Sequence, residues 1–249
     1  HPITFFTDYD LDQVDKDTSA VKVAWLVECR DVNRDAYRKM ESPEFYTKFD
    51  LVLTHDKQML MLDERFVFTA FGGCWIRPED QKIYPKTASL SIISSTKRDL
   101  PGHRLRHAIV ERFGNQIDGL LGRGYKEVPN KIDGLKKFRY SLAIENTDRD
   151  FWFTEKLLDC FATGTVPIYW GCPDIAQFFD PNGIIQFSSL EELDDILPAL
   201  SAKDYAARKT AIKTNFERFK QYAVTENFIY QEVVAKQPVF AAYRGVANA

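Results

Sequence analysis

Short apolar runs recur along the chain between polar stretches, and their spacing predicts the elements. In the first part, Ile3–Phe6, Val21–Val27, Leu51–Thr54 and Phe66–Phe71 are β-branched or aromatic and read as strands. Asn33–Lys39 and Asp56–Leu62 read as short helices. Gly72–Lys86, with paired glycines, Pro78 and Pro85, reads as a linker. Beyond it the pattern becomes regular. Ala88–Ser94, Ile117–Leu121, Phe138–Ile144, Val166–Trp170 and Gly183–Phe187 are strand candidates. Between them, Gly102–Phe113 carries Leu105, Ile109, Val110 and Phe113 at helical spacing. Thr154–Thr163 carries Leu157, Leu158, Phe161 and Ala162, with Gly164 as its stop. Pro173–Phe179 reads as a short helix, and Ser189 to Glu192 as a capping box for a helix through Leu200. Asp204–Tyr222 reads as one long polar-faced helix.

Strands alternating with helices at this spacing predict an α/β fold, a parallel sheet covered on both faces. The expected division is a small N-terminal domain over 1–86 and a larger nucleotide-binding domain over 87–249. In such sheets ligands bind beyond the carboxyl ends of the strands. The residues just after each strand are therefore the ones to inspect.

Three strand ends stand out. After Ala88–Ser94 come Ser95, Thr96, Lys97 and Arg98, then Gly102-His103-Arg104-Leu105-Arg106-His107. Cations at a helix start suit a phosphate, because free N–H groups and the helix dipole add to their charge. A solvated basic turn is the plain alternative. The second end is Gly122-Arg123-Gly124, whose glycines admit close approach of a ligand, or make an ordinary turn. The third is Glu145-Asn146-Thr147, followed by Phe153-Thr154-Glu155-Lys156 opening the next helix. A lysine in a first turn opposes the helix dipole, which calls for another reason to be there. Glu155 and Lys156 are expected to point apart, Glu155 to ribose hydroxyls and Lys156 to a diphosphate.

Charge narrows the classes. The 33 basic and 36 acidic residues give a net charge of −3, with no global signature of nucleic-acid binding. Cys29, Cys74, Cys160 and Cys172 form no CxxC pair, and none of His1, His55, His103 and His107 adjoins a cysteine, so no zinc site is expected. The cysteines read as free thiols of a reducing compartment. No basic-then-apolar leader and no run of roughly 18 apolar residues stands in the sequence, so a soluble, cytoplasmic chain without a membrane span is expected. Asp8-Tyr9-Asp10 has the D-x-D spacing that can hold a divalent ion and a diphosphate, but the motif is short and far from the third strand end.

From Phe138 to Phe187 the chain reads FRYSLAIENTDRDFWFTEKLLDCFATGTVPIYWGCPDIAQFFDPNGIIQF. This resembles the signature of the α-1,3-fucosyltransferases, glycosyltransferase family ten, and most closely its bacterial members. The shared elements are E-N-T, T-E-K and G-T-V-P-I-Y-W-G. The resemblance implies a GT-B-like fold of two Rossmann-like domains, here with a reduced N-terminal one. It implies an inverting transfer of L-fucose from GDP-fucose to a glycan hydroxyl, with no metal or other cofactor. Partners would be the nucleotide sugar and an oligosaccharide or glycoconjugate acceptor. Carried over by residue, Glu155 and Lys156 match the family's ribose and diphosphate contacts, and Arg106 the arginine that neutralises the diphosphate. Asn146 falls in the E-N element, and Trp152 stands where the family usually has a tyrosine. Lys22 to Glu28 resembles the strand that ends in the family's catalytic base, which places Glu28 in that role. The donor site so expected comprises Ser95, Lys97, Arg106, Gly122, Gly124, Glu145, Asn146, Trp152, Thr154, Glu155 and Lys156. Another UDP- or GDP-linked sugar such as xylose or rhamnose, or a non-catalytic nucleotide- or glycan-binding module on the same fold, are the alternatives.

Overall fold

Val23 and Val52 begin two alternations that organise the first half. Val23 packs on one face of a sheet and Ala24 on the other, and Leu53 and Val52 divide in the same way. This period of two is what a strand buried on both faces requires. A computed structural model of the chain describes residues 2–243; His1 and 244–249 lie outside the described residues. The chain forms two units.

The first unit holds residues 2–71, returns for Arg149–Trp152, and takes up the chain again from 224. Its strands are β1 (Ile3–Thr7), β2 (Val21–Trp25), β3 (Leu51–Thr54) and β4 (Phe66–Phe68), all parallel in the order β1-β2-β3-β4. Helices α1 (Arg34–Met40) and α2 (Pro43–Tyr46) follow β2. Asn33 caps α1 by accepting the Ala36 N–H. Tyr37 and Met40 bury against Phe6, Ala24 and Val52. The helix expected over Asp56–Leu62 is only a 3₁₀ turn, Met59–Met61. Asp56 accepts the N–H groups of Gln58 and Met59, a local side-chain bond that competes with a full helix.

The second unit comprises Gly72–Asp148 and Phe153–Ala223. Its sheet has β5 (Ala88–Ile93), β6 (Gly119–Leu121), β7 (Phe138–Ile144), β8 (Val166–Trp170) and β9 (Ile185–Gln186), all parallel in the order β6-β5-β7-β8-β9. β7 is central and nearly all buried. Helices α3 (Pro101–Phe113), α4 (Glu155–Thr163), α5 (Glu192–Ala199), α6 (Ala202–Ala207) and α7 (Lys209–Arg218) accompany it. One core joins Leu90, Ile92, Tyr140 and Ile168 to Ile109 and Phe113 of α3 and Leu193 of α5. Back in the first unit, α8 (Thr225–Ile229) brings Ile229 onto Val21, Val23 and Leu53, the sheet face opposite α1.

Several expectations shift. The segment Gly72–Lys86 is not a free linker. Its backbone N–H groups at Gly73, Cys74 and Tyr84 bond to carbonyls of Tyr222, Ala223 and Thr163, which straps it to the second unit. The boundary expected after residue 86 therefore falls at Phe71 and Gly72. The long helix over Asp204–Tyr222 is interrupted at Arg208, whose guanidinium ties back to Asp204 and to the Asn182 carbonyl. Pro173–Phe179 gives only the 3₁₀ turn Ile175–Gln177. Half of the capping box forms, the Glu192 N–H donating to Ser189 Oγ at 3.4 Å, while the Glu192 carboxylate accepts from the Ser188 N–H and hydroxyl and not from Ser189. Among the described residues no helix is long and apolar enough to cross a membrane.

Candidate functional site

A cleft of about 720 Å³ opens at the carboxyl ends of β5, β6 and β7, within the second unit. That volume lies in the range of small-molecule sites. Its rim brings together Ser95 and Lys97 after β5, Gly122 after β6, Asn146 after β7, and Arg106, Glu155 and Lys156 from α3 and α4. Five cationic side chains line it, Lys97, Arg106, Arg123, Lys131 and Lys156, against two carboxylates, Glu127 and Glu155.

The start of α3 is held hard against the end of β7. The Gly102 N–H donates to the Asn146 carbonyl at 2.9 Å. A side-chain carbon on Gly102 would stand 2.9 Å from the Glu145 carbonyl carbon and nearer still to its oxygen, so only glycine fits. One turn on, Arg106 is buried. Its Nε and Nη2 donate to the Ile144 carbonyl at 3.2 and 2.5 Å, and Nη2 also to Asn146 Oδ1 at 3.0 Å. These bonds fix the guanidinium plane, and among the described residues none accepts from Nη1. Burial pulls the Arg106 pKa below its ordinary value, although Glu145 and Glu155 oppose the shift.

Glu145 is fully buried and does not line the cleft. Its carboxylate accepts the Thr154 N–H at 2.9 Å and the Thr154 hydroxyl at 2.7 Å, while Lys156 Nζ lies 3.6 Å away. Burial raises its pKa against the pull of Lys156. Thr154 in turn caps α4, its Oγ1 accepting the Lys156 N–H. Glu145 and Thr154, expected as donor contacts, are thus the buried frame that positions α4. Glu155 and Lys156 differ from the expectation that they point apart: Lys156 Nζ sits 3.1 Å from Glu155 Oε1. Both still face the cleft. Burial works to raise the Glu155 pKa, but Lys156 and Lys131 hold it below the usual carboxylate value, so it is an anion ready to accept hydrogen bonds.

Of the remaining expected residues, Gly124 lies off the cleft and serves the turn. Its φ is +87°, and a side chain there would meet Thr96 Cγ2 at 2.5 Å. Gly122 has φ +106°, and a side chain there would meet the Ser94 backbone. Trp152 belongs to the first unit, is buried against His55 and Phe71, and does not line the cleft. Its indole N–H has no hydrogen-bond partner among the described residues. Glu28 is also in the first unit, beyond the end of β2. Its N–H donates to Asp8 Oδ2 and its carbonyl accepts from the Tyr37 hydroxyl at 3.0 Å. Asp8, the first acid of the D-x-D, spends its other oxygen on the Val27 N–H at 3.1 Å. Its pKa is raised by burial and lowered in part by these two amides. Asp8 therefore anchors the segment that carries Glu28.

The cleft also holds residues that the sequence reading left unassigned. Lys131 pairs with buried Asp159 at 2.6 Å, lies 3.6 Å from Glu155, and sits 4.5 Å over the Trp75 ring. Trp75 is 69% exposed, with its backbone N–H tied to Asp159. A tryptophan two residues beyond the Gly72-Gly73 pair was a usable signal. Lys131 had none, since its partners are distant in sequence. His103 was read only as part of a basic run.

Comparison with known proteins decides the family. Residues 90–240 match the model of the C-terminal part of glycosyltransferase family 10, the fucosyltransferases. The chain belongs to glycosyltransferase family 10. A 103-residue stretch is 29% identical to an α-(1,3)-fucosyltransferase FucT of Helicobacter pylori, covering 39% of this chain and 21% of that protein. The matched stretch thus spans about a fifth of that relative. The fold agrees with a solved α1,3-fucosyltransferase with GDP, at a TM-score of 0.56 and 17% identity over 89% of this chain and 77% of the other. It also agrees with an α-glucosyltransferase in complex with UDP-glucose and DNA containing an abasic site, at 0.59 and 13% over 95% and 80%. The family-10 chain is accordingly an α/β protein of the GT-B type, with two Rossmann-like units. Likeness at this level fixes the fold and leaves the donor to the site.

Proposed function

We propose that this protein is an inverting glycosyltransferase that moves L-fucose from GDP-fucose onto a hydroxyl of an oligosaccharide or glycoconjugate. The observation that carries the reading is the cleft itself. Two helix N-termini and the cations Lys97, Arg106 and Lys156 converge there beside the ionised Glu155. That is the donor set a nucleoside diphosphate needs: positive charge and N–H groups for the phosphates, a carboxylate for ribose hydroxyls. Ile93, Val128, Leu135 and the ring of Trp75 supply apolar surface for a base.

In the transfer, Glu28 takes the proton of the acceptor hydroxyl as its oxygen attacks the anomeric carbon from the face opposite the leaving diphosphate. The bond from that carbon to the diphosphate breaks, and its electron pair leaves as phosphate charge. Arg106 and Lys156, with the positive ends of the α3 and α4 dipoles, stabilise that charge, an effect worth a few kcal/mol per side-chain donor, roughly 3 kcal/mol. Metal-free chemistry belongs to the same proposal and is supported by the chain's own cations at the cleft, Lys97, Arg106 and Lys156. A reducing, cytoplasmic location belongs to the same proposal and is supported by four free cysteines.

The test is a thermal-shift panel of GDP, UDP, CMP and their sugars, with and without EDTA. A ligand that binds only the native state stabilises it, by about 2.7 kcal/mol at a hundredfold excess over Kd. GDP and GDP-fucose should raise Tm equally in both conditions. A shift with UDP ligands alone would replace the donor, and a shift abolished by EDTA would reject the metal-free reading.

A further inference from the structure

His103 lies in the first turn of α3, one turn before Arg106, on the same side of the helix. The residue is only 6% exposed, yet it lines the cleft. Its Nδ1 accepts the Leu100 N–H at 3.3 Å. An acceptor nitrogen carries no proton, so the proton of the neutral ring sits on Nε2. Nε2 has no hydrogen-bond partner among the described residues and is not sealed from solvent. A buried ring with one nitrogen fixed and the other a free donor toward a cationic cleft has a defined use.

We propose that His103 is a donor-site residue whose Nε2–H donates a hydrogen bond to a phosphate oxygen of the nucleoside diphosphate, alongside Arg106 and Lys156. The inference rests on the reading of the cleft as a nucleotide-sugar site. The surroundings support it. The charges of Arg106 on its own helix, Lys97 and Asp99 on the preceding loop, and Lys156 on α4 act on the ring. Burial and the three cations favour the neutral ring, with Asp99 opposing, so Nε2 works as a neutral donor in the free protein. A neutral donor adds a directional bond to the phosphates without adding another charge to a crowded cluster.

Two substitutions separate this role from helix capping. His103→Asn keeps an acceptor oxygen near the Nδ1 position but does not reach the place of Nε2. His103→Gln puts an amide N–H near that place. Calorimetry with GDP and guanosine, together with Tm, reads both. The expected result is GDP binding about 10-fold weaker in His103→Asn, with guanosine binding and Tm close to wild type. His103→Gln should recover GDP binding to within about 3-fold of wild type. Wild-type GDP affinity in His103→Asn would overturn the proposal and leave His103 as a cap. Equal weakening toward guanosine and GDP would overturn it as well. If the wild-type chain binds UDP and not GDP, the donor assignment falls, and the same comparison with UDP and uridine decides His103. A wild-type chain that binds no nucleoside diphosphate overturns both.

Discussion

Gly102→Ala tests the contact on which the site is built. The added methyl would stand 2.9 Å from the Glu145 carbonyl carbon and 3.1 Å from that of Asn146. The Glu145 carbonyl oxygen stands closer still and sets the displacement: to restore contact distances the start of α3 must retreat by about 1.5 Å. Overpacking of this kind costs about 1–3 kcal/mol. The retreat also stretches the Gly102 N–H bond at 2.9 Å and the Arg106 bonds at 3.0 and 3.2 Å, each to the limit of hydrogen-bonding distance or past it. Losing two of them adds about 2 kcal/mol. The sum, about 3–5 kcal/mol, corresponds to a Tm lower by on the order of 10 °C for a chain of this size. His103 and Arg106 ride on the same turn, so GDP affinity should fall with it. Gly114→Ala at the other end of α3 is the control. Its methyl would meet only Val110 Cγ1 at an ordinary 3.9 Å, so its Tm should stay within a few degrees of wild type. Differential scanning calorimetry and GDP titration of both variants make the comparison. A Gly102→Ala protein that melts with the Gly114→Ala control and binds GDP normally would refute the packing argument.

Lys156→Ala should weaken GDP about 10-fold while changing guanosine binding little, measured by calorimetry; equal weakening of both would mean that Lys156 acts by holding Glu155. Glu28→Gln should bind GDP as wild type and lose transfer by roughly 10²-fold, and wild-type transfer rates with a normal Tm would sink its role as base. The half-buried Lys86 ammonium, which donates to the Thr163 carbonyl and Thr165 Oγ1 at 2.9 Å each, is pushed down to about 7 by desolvation, with only the Cys160 thiol opposing. Its folded pKa lies below the unfolded value near 10.4, so between these limits the unfolded chain binds the extra proton and stability rises with pH by up to about 1.4 kcal/mol per unit. The contribution is lost progressively as pH falls from about 10.4 to about 7; Lys86→Met should flatten Tm against pH between about 7 and 10, and an unchanged slope would refute this assignment.

The parallel α/β class was legible because both sheets are buried on two faces. Such strands must be short apolar runs, and Val21–Val27, Phe138–Ile144 and Val166–Trp170 carry that requirement in their own composition. The T-E-K element was legible too, since a helix start declares itself by Thr154 as cap and Gly164 as stop, both local chemistry. What each residue does at the site was not local. Glu145 and Glu155 are both glutamates beside the same helix start. Burial makes one a frame for Thr154 and leaves the other facing the cleft. Arg106 meets Asn146, and Lys131 meets Asp159, only because parallel strands bring distant loops to one edge of the sheet. Trp152 shows the limit most plainly. It stands two residues before Thr154, inside the segment that carries the family signature, yet the chain crosses into the other unit at Arg149–Trp152 and buries the ring there. The family resemblance set its expected role. Its position was decided by which core had room for an indole, and that is a property of packing between residues far apart in the chain.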